Sequence, residues 1–422
     1  MVVESRGFGP TKEVVLNTEF LEQVLGIEEL HVIGFELDAD SRTLHVHLEW
    51  LESFCACRSC GSTAYVKKSE PRKNPVRHLD CMEYKTLLYL DSVEMECSEC
   101  RALFNRRPTF LEDSHYFTVS FLDRLMIMSR NTAPKNVAEW HDESCRTFQD
   151  IYYRELEKAD HRRQVAPVRH LGIDEISKEK GHRRYLLLLY DLDTHEVIDV
   201  LQDRLKETLV TYLKEHKEDL FHELQGVCTD MWPKYKDAVH TVFPSMPVVV
   251  DRFHVIQQMN DAVEDRRREV QRTISDEEEK HRCKKVLRHV LLRARENQLR
   301  RDGGDKELQE VLSMDSELRR IYELKEDMRR IYTLEDLDEA KDELNKWIRR
   351  ATYLNSKHLS SFIKTVKKWK KEILAFFKLR ITNGVAEGLN YKTKLIKRLS
   401  YGLTNFGHFR LRILHTCGNT LL

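Results

Sequence analysis

No proline follows Pro247 in this chain of 422 residues. Glycine is almost missing from the same stretch: only Gly303 and Gly304 occur between Val248 and Asn383. Turn-rich and strand-rich folds lean on these residues, so their absence argues against such folds here. Charged residues instead recur among Leu, Val and Ile at helical spacing. That pattern predicts an almost wholly helical segment of more than a hundred residues, broken by a loop at Gly303-Gly304. Long apolar runs are also missing. None reaches the roughly eighteen residues of a membrane helix, so no membrane span is expected. Met1-Val2-Val3-Glu4-Ser5-Arg6 carries no signal-peptide pattern. With ten cysteines in so long a chain, the expectation is a reducing, cytoplasmic compartment. There, paired cysteines more often bind metal than form disulfides.

Net charge is missing too, with 70 Lys and Arg against 70 Asp and Glu. Its distribution is uneven. Residues 1–55 hold eleven acids and three Lys or Arg, a balance of −8. Residues 357–412 hold fourteen Lys or Arg against Glu372 and Glu387, a balance of +12. A block that basic reads as a surface facing nucleic-acid phosphates, against the plainer reading of a solvated helix face.

The length implies roughly two to four domains. Residues 1–50 read as an acidic lead-in with a helix near Asn17–Leu25 and a strand at Leu44–Leu48. Residues 51–108 form a cysteine-containing module, and 115–160 a helical one. Between 165 and 256, strands and helices alternate. Val168–Ile173, Tyr185–Asp191 and Glu196–Leu201 read as three consecutive strands. A helix at Lys206–Leu220, a strand at Gly226–Thr229, a helix at Pro233–Val242 and a strand at Pro247–Val250 follow. This order predicts an α/β fold with the mixed sheet of ribonuclease-H-like cores. That core is interrupted by a helical insertion over 257–380 and completed by 381–422.

Cys57-Arg58-Ser59-Cys60 and Cys97-Ser98-Glu99-Cys100 are two knuckles of equal spacing. Each can present two thiolates, and the two together make a four-thiolate structural Zn2+ site with no position open for catalysis. The interval between them has room for a strand pair that includes Leu87–Val93. Cys55 stands beside the first knuckle as a possible substitute ligand.

Lys135–Trp140, the turn His141-Asp142-Glu143, and Ser144–Leu156 read as a helix-turn-helix, or alternatively as a plain helical hairpin. Ser144 is the expected N-cap. Ala138, Phe148, Ile151 and Tyr152 form the expected packed stripe. Arg146, Thr147, Gln149 and Arg154 are the residues expected to face DNA.

Three acids carry the sharpest signal. Asp174 and Asp230 end apolar runs that read as buried strands, and Glu387 opens a basic helix. A lone acid at the end of a buried strand is costly unless it meets a cation. Oxygen ligands of this kind suit hard divalent ions, Mg2+ or Mn2+. Glu175 points to the opposite side of its strand from Asp174 and is not chosen. Asp191, Asp193 and Asp199 are weaker alternatives.

Four segments occur in a fixed order: Gly172-Ile173-Asp174-Glu175, Thr229-Asp230-Met231-Trp232-Pro233, Asp251-Arg252-Phe253-His254, and Thr382-Asn383-Gly384 with Glu387-Gly388-Leu389-Asn390. Tyr401-Gly402, Asn405-Phe406 and Phe409–Leu414 follow. Together they closely resemble the DDE transposases of the bacterial ISL3-type insertion sequences, over most of the chain. The resemblance implies that Asp174, Asp230 and Glu387 are the catalytic, metal-holding triad. It also implies that Asp251 and His254 support the site and that the helical segment is an inserted domain. The expected partners are double-stranded DNA, as transposon terminal inverted repeats and as target, and further copies of the chain. The expected place is the bacterial nucleoid. Lys392, Lys394, Lys397 and Arg398 would meet backbone phosphates. The chain has Arg58 where the family usually has proline, and Glu94-Met95-Glu96 where it is usually rich in arginine. The rival functions are a non-catalytic zinc-finger DNA-binding regulator and a ribonuclease-H-type nuclease without strand transfer.

Overall fold

The computed structural model describes residues 17–51, 55–70, 72–106, 108–113, 116–177, 185–399 and 405–418. The side chains of Lys73, Val385, Ala386 and Glu387 lie outside this description, as does Tyr401-Gly402. The chain divides into two units, Met1–Glu155 and Leu156–Leu422.

In the first unit, helix Thr18–Leu25 starts at Asn17, whose Oδ1 accepts from the Phe20 N–H at 2.7 Å. It buries Leu21 and Leu25. Strands β1 (Leu30–Asp38) and β2 (Thr43–Trp50) form a hairpin. β3 is Tyr65–Lys67, β4 Arg72–Cys81, β5 Tyr84–Ser92, β6 Glu94–Cys97 and β7 Leu103–Asn105. They make two sheets, β1-β2-β5-β4 and β3-β6-β7. The strand pair expected between the cysteine knuckles is β4 and β5, and β5 runs parallel to β2 rather than joining the cysteine-bearing sheet. β1 escaped the alternation pattern because its register shifts between Val32 and Gly34, so its buried positions fall out of period two.

Helices Val119–Ser129, Pro134–Trp140 and Cys145–Arg162 follow. The last two are the expected pair. Ser144 Oγ accepts from the Thr147 N–H at 3.3 Å, as the N-cap reading requires. Ala138, Phe148, Ile151 and Tyr152 are all buried. The turn between them needs no glycine because Asp142 takes the left-handed conformation, φ +52°. Buried Arg77 clamps this turn, donating to Glu143 at 2.9 Å with its guanidinium 4.4 Å from the Phe121 ring centre.

The second unit is built on β8 (His170–Ser177), β9 (Tyr185–Asp191), β10 (Glu196–Leu201), β11 (Gly226–Thr229) and β12 (Val248–Val250), in the order β10-β9-β8-β11-β12. The first three are antiparallel to one another; β11 joins β8 in parallel, and β12 joins β11 in parallel. Helices Lys206–Glu215 and Pro233–Val242 pack Leu209, Leu213, Tyr235, Ala238 and Val239 into the core under the sheet. The strands are apolar on both faces, as strands covered on both sides must be. β8 runs past Ile173 to Ser177, so Asp174 lies inside a strand and not at its end. The extension is paired with β9 alone, while β11 covers only His170–Gly172.

From Arg252 to Leu379 the described residues form only helices and their connections, from Arg252–Thr273 to Lys370–Leu379. The glycine pair does break this segment. Gly303 has φ +69°, and a Cβ on Gly304 would lie 2.0 Å from the Gln298 carbonyl oxygen. Helices Gly384–Leu399 and Phe406–Cys417 complete the unit, the second lying along β10. Among the described residues no helix is long and apolar enough to cross a membrane.

Candidate metal centres and nucleic-acid surface

The two knuckles meet. The Sγ atoms of Cys57, Cys60, Cys97 and Cys100 all lie within 4.8 Å of one another. Cys57 and Cys100 are 3.6 Å apart, and Cys60 and Cys97 are 3.5 Å apart. A tetrahedron with arms of about 2.3 Å has edges of about 3.8 Å, so this cluster fits one zinc ion with little adjustment. The backbone N–H of Ser59 holds the Cys57 thiol low, and that of Cys100 does the same for Cys97. Those two thiols lean toward the thiolate that a metal needs, while the neighbouring cysteines push Cys60 and Cys100 up, because four crowded thiols cannot all ionise without a cation between them. Cys55 is not part of the cluster; its thiol lies 3.7 Å from the Met95 sulfur.

The second centre is made of oxygen. β8 and β11 are adjacent and parallel, which brings Asp174 and Asp230 to the same end of the sheet. Asp174 Oδ1 accepts from the Glu175 N–H at 2.7 Å, and Asp230 Oδ1 from the Trp232 N–H at 3.2 Å. Burial pushes the Asp174 carboxyl up, against the pull of the Glu175 N–H, His254 and the Asn390 amide. Burial pushes Asp230 up to about 6; the charges of Glu175 and Asp174 add to the rise and His254 opposes it. Two half-buried acids whose ionised forms repel are a donor set that a hard cation would relieve.

Glu175 is engaged elsewhere. Arg204 donates to both its oxygens, at 2.9 and 2.8 Å, and the Tyr235 hydroxyl donates to it at 3.0 Å. Asp251 is buried and accepts from Thr382 Oγ1 at 2.7 Å and from the Asn383 N–H at 3.2 Å. Glu387 lies in helix Gly384–Leu399, one turn before Asn390. The Asn390 amide donates to Asp174 Oδ2 at 2.6 Å. Reading the sequence did not assign functions to Thr382, Asn383, Asn390 or Tyr190. The available signal was their position: three of the four stand in the same short segment as Glu387.

The basic residues divide by exposure. Lys392, Lys394 and Arg398 project from the helix into solvent. Lys397 is partly buried and donates to the Ser177 carbonyl at 2.9 Å. On helix Cys145–Arg162 Arg146 is exposed, and Thr147 and Gln149 are half-buried. Arg154 is paired with Glu112 at 2.9 Å, so its guanidinium is engaged within the chain.

Comparison with known proteins identifies the family. The ISL3-type DDE family model, described as a transposase, matches residues 171–413, from β8 through the helical segment to helix Phe406–Cys417. The transposase for insertion sequence element IS1001 of Bordetella parapertussis is 24% identical over 402 residues, which cover 94% of this chain and 98% of that protein. The chain belongs to the ISL3-type DDE transposase family.

Proposed function

We propose that this transposase binds the terminal inverted repeats of an insertion sequence, cuts DNA there and joins the freed end to target DNA. The observation that carries this reading is the pair of half-buried, mutually repelling acids at one end of adjacent parallel strands. The strand order β10-β9-β8-β11-β12, with the antiparallel three first in sequence, supports a ribonuclease-H-like core. In this reading Asp174, Asp230 and Glu387 hold two divalent ions, Mg2+ or Mn2+. Such ions, when bound, supply a deprotonated nucleophile and neutralise charge on the scissile phosphate.

The protein's own groups then have separable tasks. Asp174 and Asp230 fix where the phosphate's oxygens must lie. Asp251 receives Thr382 and Asn383 and so anchors the start of the segment that carries Glu387. His254 offsets the charge of both acids. Lys392, Lys394 and Arg398 hold backbone phosphates, which positions a duplex without reading it. Arg146, Thr147 and Gln149 read the ends. Zinc on the four cysteines is structural. In the first step water's oxygen bonds to phosphorus and a 3′-hydroxyl leaves. That hydroxyl then attacks a target phosphate and displaces its 3′-oxygen. The chain would work as an oligomer on DNA, at the nucleoid.

The test is incubation with duplex DNA carrying the repeats that flank the gene, with Mg2+. Nicking at the repeat followed by a joined product is expected. Binding without nicking in any divalent ion would favour the regulator reading. Cutting without joining, even from pre-cut ends, would favour a plain nuclease.

A further inference from the structure

The segment that follows the helical insertion is fastened to the sheet at two points. The first lies before Glu387. Thr382 Oγ1 and the Asn383 N–H both donate to Asp251, and the Asn383 amide donates to the Ile173 carbonyl at 3.1 Å. Gly172 makes room for it: a Cβ there would lie 2.8 Å from Asn383 Oδ1 and 2.6 Å from a Leu192 methyl. The second point lies after Glu387. Asn390 is 8% exposed and donates to Asp174 Oδ2 at 2.6 Å. Its amide is matched at both ends: the Asp174 carboxylate takes the N–H, and the amide oxygen accepts from the Tyr190 hydroxyl at 2.5 Å. Tyr190 is 1% exposed and belongs to β9, and burial pushes its phenol well up, so it stays a donor. The result is a one-way chain, Tyr190 to Asn390 to Asp174, in which each donor fixes the next.

We propose that Asn390 is a positioning residue for the metal centre. It locks the rotamer of Asp174 and, by the same hydrogen bond, docks the helix carrying Glu387 against β8. The inference rests on the reading of Asp174 as a metal ligand and adds what sets its geometry. The helix could reach its place by packing alone, through buried Leu389, Thr393 and Ile396. A side-chain amide aimed at the carboxylate, and itself aimed by a tyrosine, is a more specific device than packing requires. Partners of ligating carboxylates commonly govern metal affinity in this way.

The experiment measures Mn2+ binding to the zinc-loaded full chain without DNA, from the loss of the free-ion electron paramagnetic resonance signal. Asn390→Leu keeps the volume and removes the amide, so a purely packing role predicts wild-type affinity. The positioning role predicts affinity about 10- to 100-fold weaker. Asn390→Gln, which keeps an amide, should recover part of the loss. Tyr190→Phe frees the amide to turn and should weaken binding by about 2- to 10-fold. Asp174→Asn separates this proposal from the reading beneath it. If Asp174→Asn weakens Mn2+ binding and Asn390→Leu does not, the positioning role is overturned alone. If Asp174→Asn binds Mn2+ unchanged, the metal reading of Asp174 falls and takes the proposal with it. Should Asn390→Leu fail to fold, Tyr190→Phe decides, and an unchanged affinity there overturns the role of the chain.

Discussion

The four-cysteine cluster and the acid pair are both places where like groups crowd together, and they are built in opposite ways. Each half of the cysteine cluster comes from four consecutive residues, and its ligand atoms already lie within 4.8 Å of one another. All four positions are filled by protein, which suits an ion that holds a fold. The acid pair draws on strands separated in sequence by β9, β10 and helix Lys206–Glu215. Asn390, which supports it, comes from the far side of the helical insertion, 216 positions from Asp174. Among the described residues no arginine or lysine hydrogen-bonds to either acid, and burial raises both. One centre is complete as it stands and the other keeps a charge debt for a substrate-bound ion. In the proposed reading, that difference separates a structural metal from a working one.

The largest expected effect lies on the cysteine side. Serine at both Cys57 and Cys60 should remove the zinc, about one ion per chain, and melt the β3-β6-β7 sheet. Structural zinc supplies about 10 kcal/mol or more of folding free energy in small zinc modules. Hydrogen exchange should show the loss confined to the first unit, with β8 to β12 still protected. Zinc content unchanged in that variant would break the assignment.

Next comes chemistry. Asp174→Asn, Asp230→Asn and Glu387→Gln should each lower cleavage at least about 1,000-fold, because the ions are asked for several kcal/mol at the transition state. Binding to the ends should hardly change. A variant that still cleaves in Mg2+ would remove its residue from the site.

The same acids were partly legible without a structure, and the contrast explains why. A Cys-x-x-Cys knuckle is local, so spacing alone reveals it. Asp174 and Asp230 could be found because each follows an apolar run, although Asp174 proves to be inside β8. The bonds of Asn390 and Thr382 could not be found. They are contacts across more than 130 positions, and no local pattern encodes a partner so distant. β4 and β5 were seen as strands but not in their sheet, since pairing with β2 is equally non-local. Arg154 looked like a DNA contact by its helical phase alone; Glu112, 42 positions earlier, is what engages it.

A smaller effect concerns stability. The folded state holds Asp230 near 6, above its unfolded value. A raised acid favours its protonated form in the folded state, so it costs stability above about pH 6 and that cost fades as pH falls toward 4. Asp230→Asn should therefore stabilise the metal-free protein by about 1–3 kcal/mol at pH 7 and by much less at pH 4.5. Thermal unfolding at the two pH values checks this; no gain at pH 7 would mean the acid is better solvated than the structure implies.

The smallest effect belongs to the basic helix. Changing Lys392, Lys394 and Arg398 together to Gln should flatten the log–log salt dependence of DNA binding by about two to three units, at roughly 0.9 per phosphate contact. Affinity for all sequences should fall alike. Arg146→Ala with Gln149→Ala should instead lower the preference for the ends. An unchanged salt slope would leave this helix as a solvated face.

The most direct measurement strips exchangeable metal from the zinc-loaded protein with a mild chelator and assays cleavage of a labelled transposon end as Mg2+ alone is returned. Cleavage should vanish and then return in full, while zinc stays at about one per chain throughout. Cleavage that persists without Mg2+, or that returns only when Zn2+ is supplied, would contradict the division between a structural and a working metal.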